Sequence, residues 1–126
     1  MYQLTVTKDQ AKVMQQALDL YTRILMGQLH MVPETVAREY GTFPEYEQLE
    51  RTMAELKDML FPGKPGQAAF GIGSPELADK AKISVDILDV IRHRIAWDEN
   101  PEGGLGVNFH SPMHWGTERL PEMVAV

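Results

Sequence analysis

Residues 74–97 read SPELADKAKISVDILDVIRHRIAW, and from Glu76 to Asn100 there is neither glycine nor proline. Ser74 supplies an N-cap hydroxyl, Pro75 a first helical position with φ already set, and Glu76 a first-turn acid. The stretch therefore predicts a helix that starts directly after Ser74. At about 100° per residue, Leu77, Ala81, Ser84, Val85, Leu88, Ile91 and Ile95 share one arc. Ile83, Ile87, Val90 and Trp97 widen it, which leaves a narrow polar strip of Lys82, Asp86, Asp89 and His93. A helix apolar round most of its girth is covered on more than one side. This is expected to be the central helix of the domain or of an oligomer.

Two polar features sit awkwardly on such a helix. Arg92 projects at the edge of the apolar arc, where a guanidinium must be paired or reach water. It is either a structural partner for a carboxylate or an anion-binding arginine. Asp89 and His93 stand at i, i+4, with Asp86 one turn earlier. The pair is either a solvated helical contact or a carboxylate orienting an imidazole.

Downstream, Asp98 to Gly106 is a polar, glycine-rich turn. Leu105, Val107 and Phe109 then alternate with Gly106 and Asn108, which predicts a short strand. His110-Ser-Pro-Met-His114-Trp115-Gly116 follows, in an irregular segment that closes the chain. Upstream, Tyr2, Leu4 and Val6 alternate with Gln3, Thr5 and Thr7, and a second short strand is expected there. The two strands are expected to pair as a small ribbon beside the helices.

Thr7 and Gln10 have capping-box spacing, and a helix is predicted from Lys8 to about Met31. Its stripe is Ala11, Met14, Leu18, Tyr21, Leu25 and Gln28, widened by Ala17 and Ile24. Gln28 is an amide on an apolar stripe, so it needs partners if buried. Gly27 beside it marks either a helix crossing or a close approach to a ligand. Arg23 and His30 lie near this end. Val32-Pro33 breaks the helix. A short helix to Tyr40, closed by Gly41, is expected next. Thr42 and Glu45 repeat the capping-box spacing, so a further helix is predicted from about Phe43 to Leu60. Leu49, Met53, Leu56 and Leu60 form a narrow seam, and Glu47, Glu50, Arg51, Glu55, Lys57 and Asp58 form its solvated face. Phe61 to Gly73 is a long loop dense in Gly and Pro, without a phosphate-loop or dinucleotide-binding pattern.

The 126 residues suit a single domain, with residues 98–126 irregular. The formal net charge of −6 argues against non-specific nucleic-acid binding or binding to anionic membranes. There is no cysteine, which removes thiolate chemistry and disulfides and fits a reducing cytosol. No stretch approaches a membrane span, and the N-terminus lacks the apolar run of a signal peptide. A cytoplasmic protein is expected.

Chemical signatures are few. His110 and His114 have metal-ligand spacing, but Pro112 lies between them and no HExxH pattern is present. No metal and no cofactor are expected. Ser111 has no nucleophile-elbow context, so no catalytic residue is assigned. What remains is a basic and aromatic constellation of Arg92, His93, Arg94 and Trp97, with His110, His114 and Trp115 folding back towards it. Arg23 and Gln28 are candidates to join. Arginine forks grip phosphate, and a Trp face stacks on a base.

Met26-Gly27-Gln28-Leu29, Asp89-Val90-Ile91-Arg92-His93 and His114-Trp115-Gly116 together resemble small helical proteins carried by bacteriophages and prophages. The resemblance spans much of the chain in pattern and carries no catalytic motif. It implies a counter-defence factor in the bacterial cytoplasm. Some such factors are homo-oligomeric sponges that sequester cyclic-nucleotide or ADP-ribose-type immune signals without cleaving them.

The expected fold is mainly α, with three main helices, one short helix and a minor two-stranded ribbon. The expected function is non-enzymatic binding of a small phosphorylated ligand by a homo-oligomer. Two further readings stand beside it. One is a protein–protein module that inhibits a host protein through the 43–60 helix. The other is a small hydrolase or lyase acting on a nucleotide through His93, His110 or His114.

Overall fold

The computed structural model describes all residues from 1 to 126. Four α-helices form: α1 (Lys8–Leu25), α2 (Met31–Tyr40), α3 (Tyr46–Leu60) and α4 (Asp79–Glu99). A single 3₁₀ turn, Val107–Phe109, lies in the tail.

The core is built on the α1–α4 pair. Ala11 of α1 meets Ile91 and Ile95 of α4, with Val6, Met14, Leu18, Ile87 and Met123 packed around them. Leu88 is the one large side chain that is completely buried. Two hydroxyls also sit in this contact. Ser84 donates to Leu18 O at 3.1 Å, and Thr22 donates to the same carbonyl at 2.8 Å. The tail covers another side of α4, where Gly116 lies so close that a Cβ on it would stand 2.9 Å from the backbone nitrogen of Ile83. α4 is thus covered on two sides, as its wide apolar arc requires.

Local chemistry sets the helix ends. Thr7 and Gln10 form the capping box, with Thr7 N–H donating to Gln10 Oε1 at 2.9 Å and Gln10 N–H to Thr7 Oγ1 at 3.2 Å. α1 stops at Leu25, earlier than the expected Met31. Gly27 takes φ +88°, its N–H bonds Ile24 O, and Gln28 N–H bonds Arg23 O at 2.9 Å. That pair of bonds around a left-handed glycine is a Schellman stop. Pro33 then sits inside the first turn of α2, where its missing N–H costs nothing. Gly41 ends α2 as expected.

Three further expectations are corrected. The ribbon does not form, and the fold has no strand. Residues 2–6 carry no regular secondary structure, and Tyr2 and Leu4 are exposed. Residues 107–109 curl into the 3₁₀ turn because Phe109 packs edge-on against Trp97 at 5.5 Å. A lone two-stranded ribbon is marginal in water, and this aromatic contact outweighs it. Second, α4 begins at Asp79 and not after Ser74. Ser74 Oγ instead accepts the Glu76 N–H in an isolated turn that buries Leu77. Third, α3 begins at Tyr46, and no side-chain bond from Thr42 or Glu45 caps it.

Candidate functional site: a groove beside a guanidinium

Arg92 lies one turn before the buried Ile95 on α4, so it emerges at the seam with α1. Its Nη2 donates to Asp19 Oδ1 of α1 at 3.4 Å. Its Nη1 is 3.7 Å from Asp89 Oδ1, beyond hydrogen-bonding range. Asp19 also accepts from Arg23 Nε at 3.1 Å, and Arg23 Nη1 donates to Gln28 Oε1 at 2.7 Å. Gln28, Arg23, Asp19, Arg92 and Asp89 therefore form one polar chain along the helix pair. Burial pushes the Asp89 carboxyl above its usual range; Asp86 adds to the rise and Arg92 opposes it.

Arg92 also lines a groove of about 270 Å³, with Lys12, Gln15 and Gln16 of α1, Ile95, Ala96 and Glu99 of α4, and Asn108 of the tail. Three amides and two cations face this space. Lys12 is engaged by Glu99 at 2.8 Å, a contact that raises the lysine pKa and lowers that of Glu99. A guanidinium has five N–H donors, and only one of those on Arg92 finds a protein acceptor. The others make no hydrogen bond within the protein, and Nη1 lies in an ion pair with Asp89.

The remaining predicted residues do not gather here. His93 lies edge-on to Trp97 at 6.4 Å and donates from Nδ1 to Asn108 O at 3.0 Å. Trp97 Nε1 donates to Phe109 O at 3.1 Å, and Gly103 packs on its ring. Both side chains fasten the tail to α4, and the Trp97 ring is already occupied. Arg94 pairs with Asp98 one turn on, which lowers the aspartate pKa. His110 is exposed and makes no side-chain hydrogen bond.

His114 and Trp115 belong to a separate turn held by Asp86. This carboxylate is only 2% exposed, and it accepts Trp115 N–H at 2.9 Å and Gly116 N–H at 2.8 Å. His114 Nε2 donates to Glu118 O and lies 3.9 Å from Asp86. Asp79 repeats the device, accepting the Thr117 N–H at 3.0 Å and its hydroxyl at 2.6 Å. No group of three or more His, Asp or Glu stands close enough to hold a metal ion.

A second, larger cleft of about 580 Å³ lies where the α1–α2 turn meets α3 and the 61–73 loop. Gln28, His30, Glu34, Glu50, Lys57 and Gln67 line it. Lys57 is 4% exposed, against the solvated position expected for it. Its ammonium donates to Lys64 O and to Gly66 O at 2.8 Å, so it clamps the loop. The available signal was its spacing: Lys57 follows Met53 by one turn, at the edge of the apolar seam. Lys12, Gln15, Gln16, Glu99 and Asn108 were also missed as groove residues, since nothing in their spacing marks them.

No protein-family model, curated protein or solved structure matches this chain.

Proposed function

We propose that the protein binds and holds a small phosphorylated ligand in the Arg92 groove without consuming it. The supporting observation is the half-buried guanidinium of Arg92, which presents unspent donors beside Lys12, Gln15, Gln16 and Asn108. Phosphate oxygens match the guanidinium fork, and amides match the hydroxyls and base edges of a nucleotide. The groove offers no poised acid–base pair. Lys12 and Glu99 bind each other, and His93 spends Nδ1 on a backbone carbonyl. Sequestration therefore fits the groove better than hydrolysis does. The phage-like sequence pattern directs the choice of ligand towards cyclic nucleotides and ADP-ribose derivatives, and the setting towards the cytoplasm of a bacterial host.

The test is incubation with a panel of those compounds, separation of bound from free, heat denaturation, and mass measurement of what is released. Intact ligand is expected from the bound fraction. Arg92→Lys, which keeps the charge and loses the fork, should lower retention at least tenfold. A changed mass would replace the proposal with a nucleotide hydrolase or lyase. If the panel is not retained at all, the proposal fails.

A further inference from the structure

The charges round the Arg92 groove limit what it can hold. Arg92, Lys12 and Glu99 all face the space, and each is tied to further charges. Lys8 and Lys12 both stand against Glu99, at 3.6 and 2.8 Å. Arg92 stands against Asp19 and Asp89, at 3.4 and 3.7 Å, and Asp19 also holds Arg23 at 3.1 Å. Four cations, Lys8, Lys12, Arg23 and Arg92, thus meet three carboxylates, Asp19, Asp89 and Glu99, which leaves a single positive charge over. Asp9 adds a negative field at Lys12, and the whole chain carries a formal charge of −6.

One negative charge on a ligand is therefore compensated in this groove. A second meets carboxylates with nothing left to offset them, Asp19 and Asp89 at the guanidinium and Glu99 at the lysine. Arg92 is half-buried, and charges in such places are screened much less than those in open solvent. Like charges brought together there work directly against binding. Size sets a further limit. The groove holds about 270 Å³, just under the roughly 300 to 1,000 Å³ of sites for drug-sized molecules. That is room for one nucleotide unit and not for two.

We infer that the groove selects a nucleoside phosphodiester of single negative charge, one nucleotide in size, over phosphomonoesters and diphosphates. The inference rests on the ligand binding proposed above and narrows it. The phosphodiester oxygens take the Arg92 donors, and Gln15, Gln16 and Asn108 serve the hydroxyl and the base. A phosphomonoester loses its second proton near pH 6, so it enters a neutral solution with close to two charges, and a diphosphate ester brings two as well.

The test is equilibrium dialysis of the full chain at about pH 7.5 against three ligands of nearly equal size on each of the four common bases. They are the nucleoside 3′,5′-cyclic monophosphate, the 5′-monophosphate, and the methyl ester of that 5′-monophosphate. On the preferred base, the cyclic compound and the methyl ester should both bind at least tenfold more tightly than the 5′-monophosphate. The ester differs from the 5′-monophosphate by one methyl group and one charge, so the comparison separates charge from ring shape. Glu99→Gln keeps the side-chain length, releases Lys12 and removes one carboxylate. It should narrow the preference at least fivefold, by strengthening 5′-monophosphate binding, and keep the helical circular dichroism, since Glu99 is exposed at the end of α4. A 5′-monophosphate bound as tightly as its methyl ester would overturn the inference and leave the proposed binding in place. An unchanged preference in Glu99→Gln would do the same, as would ADP-ribose or a cyclic dinucleotide bound more tightly than every singly charged mononucleotide. Retention of none of these compounds would remove both readings.

Discussion

The Arg92 guanidinium of α4 stands 3.4 Å from the Asp19 carboxylate of α1. It is the one charged contact across the centre of the main helix pair, and it is loosely made. A half-exposed pair of this length contributes about 1 kcal/mol or less. Arg92→Lys should therefore shift the thermal midpoint by only a few degrees. Arg92→Ala should cost more, because Asp89 then loses the cation that opposes its desolvation. Thermal melts of the two variants at neutral pH check the order.

Asp89 gives a pH dependence with a definite sign. Burial raises its folded-state pKa above the unfolded value. The folded chain therefore binds this proton more tightly than the unfolded chain, and the contribution of Asp89 to stability falls as pH rises through the folded pKa. Asp89→Asn removes that dependence. Its stability relative to wild type should improve as pH is raised from about 3 to 7, as denaturant titrations along the series would read. A relative stability that declines over that range would mean Arg92 overcomes the desolvation.

The fold was legible where one local cause sufficed. Thr7 and Gln10 form the box their spacing predicts, and the broad apolar arc of α4 is covered on two sides. Other features depend on distant contacts. Tyr2, Leu4 and Val6 show the alternation of a strand, but alternation is equally the mark of an extended arm with one inward residue, and only Val6 reaches the core. The apolar stripe of α1 runs on to Gln28 and so favours a longer helix through Gly27. The left-handed φ of that glycine ends the helix instead. The candidate site was partly legible: of the candidate residues only Arg92 lines the groove, while Arg23 and Gln28 are linked to it through Asp19, and Gln28 itself lines the other cleft. His114 and Trp115 stand apart because Asp86 and Asp79 hold their turn, and nothing in the sequence says which backbone a buried carboxylate will bind.

Lys57 clamps the 61–73 loop from below. Its replacement by methionine keeps the length and the packing and removes both hydrogen bonds. Lys64 O and Gly66 O then need water, which opens the loop at a cost of about 2 kcal/mol. Lys57→Met should bring faster proteolytic cleavage within residues 61–73 and leave the helical circular dichroism unchanged. Cleavage at the wild-type rate would show that Phe70 holds the loop alone, through its N–H to Met26 O at 2.9 Å and its ring against Phe61 at 6.1 Å.

Asp86 should be the most costly single polar position in the chain. Its two carboxylate oxygens accept adjacent backbone amides, Trp115 and Gly116, and it is the only buried acid. Charge-assisted bonds to buried donors are the strong kind. Asp86→Ala would leave both donors unpaired, costing about 3 kcal/mol. Asp86→Asn would keep one acceptor and turn an NH₂ towards the second amide, so it should recover at most part of the loss. With the anchor gone, Gly116 has no reason to sit against Ile83, and Trp115 leaves its place on Gly73. The expected readout is a red-shifted tryptophan emission before global unfolding, strongest in Asp86→Ala. Trp97 provides the internal control: its bond to Phe109 O lies at the far end of α4 and should survive, so Trp97→Phe in the same background isolates the Trp115 signal. An unshifted emission in that double variant would show that the tail stays docked through Asp79 and Thr117 alone.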